Sequence, residues 1–191
     1  MIANILNAIT LSRIFCAILI YLILFLESNY SLALFLFFVA SFSDFLDGYL
    51  ARKTDSVSVL GEILDPIADK LLVIGVIFAL ASENMLDYYY SFIPALLIVL
   101  REILISGLRE SVSSHKISLT VTLLAKWKTT IQLIACGSFL VWRSNTFFYN
   151  TEILGLISYI LLWIAGIITF ITGLQYITKI IKFFNKEINR E

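Results

Sequence analysis

The sequence predicts an all-α integral membrane protein: six transmembrane helices in one bundle with an N-terminal interfacial segment, forming a single membrane domain over residues 1–191. Three observations carry that expectation. The chain is 60% hydrophobic, with a mean hydropathy of +0.92. It holds several stretches near the ~20 apolar residues that a helix needs to cross a bilayer. Its lysines and arginines fall almost entirely on one side of those stretches, which is the asymmetry expected of cytoplasmic loops.

The elements follow in order. Asn4, Asn7, Thr10 and Arg13 interrupt the approach to the first apolar run, and no small-residue cleavage site follows it, so the opening segment is expected to stay on the chain. The expected spans are residues 10–26, 31–50, 65–81, 92–108, 129–142 with a polar lead-in from 119, and 153–176. The third and fifth are short in apolar residues and begin with charged turns. Irregular or polar helix ends at membrane depth are tolerated where they line a polar cavity, which is the expected place for both. Cys16 and Cys136 fall inside spans and read as small core residues. No internal repeat or low-complexity tract divides the chain.

With both termini cytoplasmic, 13 of the 14 Lys and Arg lie on that side, and only Arg143 falls in an outer loop. The outer loops carry Glu27, Glu83, Asp87 and Glu152 instead. A net charge of zero, without a basic stripe interleaved with aromatics, excludes nucleic acid as a partner. His115 is the one histidine; it sits in the polar 111–116 loop without companion ligands and reads as a solvated loop residue.

Against this apolar background, SDFLDGYLARKTDSVSVLGEILDPIADK from Ser43 to Lys70 contains Asp44, Asp47, Asp65 and Asp69. An ionisable group at the bilayer centre costs roughly 2.5 to 3.5 kcal/mol on insertion scales, so such residues mark functional sites. Asp44 and Asp47 are i and i+3 on one helix, and Asp65 and Asp69 are i and i+4 on the next, so each pair shares a face. Four converging carboxylates repel one another unless protons or cations relieve them. Two divalent ions would cancel their charge.

The spacing is DxxDGxxAR, eight residues, then GxxxDxxxD, filled by Asp44, Asp47, Gly48, Ala51, Arg52, Gly61, Asp65 and Asp69. This pattern resembles the CDP-alcohol phosphatidyltransferase family, membrane enzymes that displace CMP from a CDP-linked donor with an alcohol. Each position has a physical reason. Gly48 and Gly61, without a Cβ, leave room on the carboxylate stripes for a nucleotide or a facing helix. Ala51 keeps the same face open one turn on, and Arg52 suits a pyrophosphate oxygen pair. The resemblance implies that Asp44, Gly48, Ala51, Arg52 and Gly61 surround the CDP group. It implies that Asp44, Asp47, Asp65 and Asp69 hold two Mg²⁺ or Mn²⁺ ions, with Asp69 also the catalytic base. All-carboxylate ligation suits those hard cations.

Two further segments bear on the acceptor. In REILISGLRE, Arg101 and Arg109 lie about 80° apart around a helix and two turns along, within reach of one pocket. In AKWKTT, Lys126 and Lys128 add two cations, about 200° apart on a regular helix, so that both reach one pocket only through an irregular turn. Arginine binds phosphate bidentately, so the four suggest a site for a phosphate-bearing acceptor. The positive-inside bias alone would also place cations here. With NILNAITLSR at the start, these segments are similar to the bacterial branch of the family whose acceptor is sn-glycerol 3-phosphate. Asn7, Thr10 and Arg13 form an NxxTxxR pattern, a candidate N-terminal pocket, with Leu6 where relatives often carry proline.

The resemblance implies transfer of a phosphatidyl group from CDP-diacylglycerol to the glycerol 3-phosphate 1-hydroxyl, giving phosphatidylglycerophosphate and CMP. It also implies a homodimer among membrane lipids in a bacterial inner membrane, with a cytoplasmic active site. Siblings that use serine, inositol phosphate or phosphatidylglycerol as acceptor remain open. A cation channel or transporter is the competing class, but the carboxylates sit at span ends, away from the midplane, and no inverted repeat is visible.

Overall fold

The computed structural model describes residues 2–54, 59–113, 123–144 and 151–188, without the side chains of 2–6, 44–54, 59, 62, 112–113, 123–126, 151, 184 and 186–188. Among the described residues there are six α-helices and no strand: α1 Ile2–Glu27, α2 Tyr30–Thr54, α3 Val59–Ser82, α4 Phe92–Ser113, α5 Leu123–Ser144 and α6 Thr151–Ile188. Each expected span falls within one of them.

The chain is an all-helical membrane protein. Three helical stretches, Asn7–Glu27, Tyr88–Ser111 and Glu152–Phe183, are long and apolar enough to cross a bilayer, and Tyr30–Ser43 is a shorter apolar one. Large apolar side chains cover the outside as well as the core: Phe15, Phe35, Phe38 and Ile103 are each more than 60% exposed. Helices that are apolar all round belong in lipid.

Two elements differ from expectation. The N-terminal interfacial segment is not a separate element, because α1 runs unbroken from Ile2. Leu6 keeps the backbone N–H that a proline would lack, so nothing interrupts the helix there. At the other end, α6 has 38 residues and is therefore about 57 Å long, well beyond a hydrocarbon core of about 30 Å. Its last turns carry Lys179 and Lys182 past the end of the expected span at Tyr176.

α1 packs against α2 and α3, α5 against α6 and α2, and α4 against α6, while α3 touches α4 and α5 more lightly. The core runs through Ile20 and Leu24 of α1, Val76 and Leu80 of α3, Ile98 of α4, Phe139 and Leu140 of α5, and Leu162 of α6. Cys136 is buried there and Cys16 half-buried, both as free thiols.

One end of the bundle is closed by local chemistry. Asn29 caps α2, its Oδ1 accepting from Leu32 N at 3.1 Å. Asn84, at φ 56°, ends α3 in the left-handed conformation that its short polar side chain tolerates. The Met85 N–H then reaches the Leu80 carbonyl at 3.0 Å, and the Asn84 N–H the Ala81 carbonyl at 3.1 Å. Ser28 Oγ donates to Glu83 at 2.9 Å, and the Arg143 guanidinium lies 5.0 Å from the Tyr30 ring centre. Tyr159 Oη donates to the Met85 carbonyl at 3.0 Å amid Phe139, Trp142 and Tyr89.

The α4–α6 contact depends on one glycine. A Cβ on Gly166 would stand 2.5 Å from Pro94 Cβ and 2.9 Å from its Cα, so the helices meet where only glycine fits. Gly166→Ala is expected to destabilise the protein by roughly 1 to 3 kcal/mol through overpacking against a rigid ring, measured as a lower unfolding temperature in detergent.

Candidate functional site

The polar residues gather at the other end of the bundle, and α1 and α3 begin the site. Thr10 and Arg13 are three residues apart and share a face of α1; Asp65 and Asp69 are four apart and share a face of α3. Thr10 Oγ1 donates to Asp65 Oδ1 at 2.8 Å, and Arg13 Nη1 to Asp69 Oδ1 at 3.2 Å. Both α1 residues are almost wholly buried, at 2% and 1% exposure, whereas the Asp69 side chain keeps 33%. A buried guanidinium is tolerated only with a partner, and Asp69 supplies one. Pro66, inside α3, lacks the amide that would bond to the Glu62 carbonyl, so the helix loses a rung beside the two aspartates.

On the far side of these carboxylates lies a cavity of about 840 Å³, walled by α3, α4 and α5. Asp65, Asp69 and Lys70 come from α3, Arg101, Glu102, Arg109 and Glu110 from α4, and Lys128, Thr129 and Gln132 from α5. The volume suits a small organic ligand, and the lining mixes four carboxylates with four cations.

Arg101 and Lys128 share one carboxylate, and Arg109 lies against an aromatic ring. Arg109 lies 5.6 Å from the Tyr176 ring centre on α6. Arg101 passes α6 at Gly173, where an added Cβ would come 3.0 Å from its Cγ, and its Nη1 reaches Glu102 Oε1 at 3.4 Å. Lys128 Nζ donates to the same Glu102 oxygen. Gln132 Nε2 reaches that oxygen at 3.3 Å and Thr169 Oγ1 of α6 at 2.8 Å. Glu102 and Lys128 are buried, at 5% and 6% exposure.

Of the residues singled out by sequence, Asp65, Asp69, Arg101, Arg109 and Lys128 surround one cavity, and Thr10 and Arg13 support its aspartates from behind. Asn7 lies one turn before Thr10 on α1, and Gly61 one turn before Asp65 on α3. The side chains of Asp44, Asp47, Ala51 and Arg52, and the surroundings of Gly48, lie outside the described residues, although α2 carries their backbone. His115 lies outside them as well, as does the Lys126 side chain. α5 runs as an α-helix through Lys126 and Lys128, without the irregular turn that would bring both to one pocket.

No group of three or more metal-ligating side chains occurs among the described residues. Asp65 and Asp69 bring oxygen donors to a polar cavity whose described lining holds no histidine or cysteine, a donor chemistry that fits Mg²⁺ or Mn²⁺. Sequence reasoning passed over Glu102 and Gln132. A glutamate inside an apolar span was itself a signal, because a charge there needs a partner.

A helical membrane protein with carboxylates and guanidinium groups around one polar cavity has the makings of a site for phosphate-bearing substrates. A family model of CDP-alcohol phosphatidyltransferases matches residues 3–171, and the chain belongs to that family. It is 41% identical over 183 residues to the CDP-diacylglycerol–glycerol-3-phosphate 3-phosphatidyltransferase of Rickettsia bellii, covering 95% of this chain and 97% of the relative. It is 39% identical to the protein of that name from Rickettsia felis, over the same shares, and 36% identical to that of Haemophilus influenzae, over 80% of this chain and 78% of the relative.

The Thr10 contact is open to a near-isosteric test. Thr10→Val removes the donor to Asp65 while keeping the shape, and is expected to lower stability by about 1 kcal/mol, measured by thermal unfolding in detergent without added metal.

Proposed function

We propose that the chain transfers the phosphatidyl group of CDP-diacylglycerol to the 1-hydroxyl of sn-glycerol 3-phosphate, releasing CMP. The observation that carries this reading is the single cavity shared by Asp65 and Asp69 on one wall and Arg101 and Arg109 on another. The first wall suits a pyrophosphate-bound metal pair, the second an acceptor phosphate. Full-length similarity to relatives of that name supports it.

In this reading Asp44, Asp47, Asp65 and Asp69 hold two divalent cations, and dependence on divalent metal is general in the family. Bound there, the metals would neutralise charge developing on the transferred phosphate and the departing CMP. Gly48, Ala51, Arg52 and Gly61 flank the CDP group. Arg101 and Arg109 fix the acceptor phosphate, which turns the 1-hydroxyl toward the lipid-bearing phosphorus. The new O–P bond forms as the P–O–P bond to CMP breaks. The hydroxyl proton passes to Asp69, whose Oδ1 already accepts from Arg13. Lys128, with Glu102 as its partner, lends positive charge to the wall.

The same reading makes the chain one membrane domain with six spans, both termini and the cavity at the cytoplasmic face of a bacterial inner membrane, working as a homodimer. The apolar outer faces of α1 and α2, including Phe15 and Phe35, are compatible with lipid or with a second copy.

CMP release from CDP-diacylglycerol, measured against a panel of acceptors, tests the assignment. Glycerol 3-phosphate should be the preferred acceptor, and a preference for serine or inositol phosphate would overturn it. Release is expected to stop in excess EDTA and return with Mg²⁺ or Mn²⁺. Arg109→Ala should raise the KM for glycerol 3-phosphate about 10- to 150-fold, the loss of one charge-assisted phosphate contact, with the KM for CDP-diacylglycerol unchanged.

A further inference from the structure

Glu102 is the buried acid of the cavity that the mechanism leaves without a task. Its Oε1 accepts from Lys128 of α5, from the neighbouring Arg101 and from Gln132, which is itself tied to Thr169 of α6. One carboxylate oxygen thus joins α4 to α5 and, through Gln132, to α6. Without it, two cations would share a poorly hydrated wall, repelling each other and lacking water. A buried ammonium left without its partner turns out toward solvent or perturbs the helices that hold it.

We propose that Glu102 is a positioning residue for the acceptor. It gathers Lys128 and Arg101 into one cavity wall and so sets the affinity for the acceptor phosphate. The inference rests on the reading of that wall as the acceptor site. Its chemistry is that of a preformed cation cradle, in which the side chains are ordered before the phosphate arrives and little ordering remains for binding to do. Glu102 acts through its neighbours and needs no contact with substrate.

The test is steady-state kinetics on the full-length protein in detergent–lipid micelles, with each substrate varied in turn. Glu102→Gln removes the charge and nearly keeps the shape; it should raise the KM for glycerol 3-phosphate about 10-fold or more, with the KM for CDP-diacylglycerol and kcat little changed. Glu102→Asp should recover part of the loss. Because much of the effect runs through Lys128 and the rest through Arg101, adding Glu102→Gln to Lys128→Met should raise the acceptor KM by a smaller factor than Glu102→Gln does in the parent. That double variant is an uncharged pair of similar volume and is expected to fold where a single variant fails. A lower acceptor KM in Glu102→Gln would make the carboxylate a competitor of the phosphate and overturn the proposal. Multiplying effects in the double variant, or equal rises in both KM values, would also overturn it. Arg109→Ala separates the two levels. If it leaves the acceptor KM unmoved, the acceptor-site reading itself fails; if it raises that KM while Glu102→Gln does not, only the positioning role fails.

Discussion

Charge taken into an apolar helical bundle must be matched inside it, and that constraint shapes this protein more than any other. A carboxylate or guanidinium buried without a partner costs several kcal/mol, and a membrane offers little water to relieve it. The buried charges are met accordingly. Arg13 finds Asp69 across the α1–α3 contact, and Lys128 finds Glu102 across the α4–α5 contact. These two pairs flank the cavity from opposite sides, so the groups that make the bundle tolerable are neighbours of the groups that would do chemistry.

The two ends of the bundle are built on different principles. Beside the Glu83 and Arg143 contacts, the closed end relies on neutral devices: a capped turn, a left-handed asparagine, aromatic edges and a tyrosine hydroxyl on a main-chain carbonyl. The polar end relies on opposed charges around space, where a proline removes a helical rung beside Asp65 and glycine at 173 makes room for the stem of Arg101. Packing and main-chain caps close one end, and charged side chains line a cavity at the other.

Much of this was legible in the amino-acid order, and what was not has a physical reason. The apolar runs gave six helices because each is local, and the aspartate spacing marked the α3 face because i and i+4 are neighbours on any helix. The eight-residue interval from Arg101 to Arg109 placed both on one cavity for the same reason. The support of Asp69 by Arg13 was out of reach, since 56 residues separate them and only the packing of α1 on α3 joins them. Glu102 escaped notice because its meaning lies 26 residues away at Lys128. Helix ends were harder still: α6 continues for three turns beyond Tyr176, where the expected span ends and polarity no longer marks the boundary. The side chains of Asp44, Asp47, Ala51 and Arg52 on α2 lie outside the described residues.

The rim of the cavity has a consequence for supply. Ile63 and Ile67 of α3 line the cavity and yet remain 58% and 43% exposed, beside the lightly packed α3–α4 contact. An amphiphile can rest its tails against those isoleucines while its head group lies among the charges. Such a donor never has to leave the bilayer, so the quantity that governs its arrival is its fraction of the membrane surface, in two dimensions, while the water-soluble acceptor is counted per volume. Diluting the membrane with inert lipid would starve the site of one substrate and leave the other untouched.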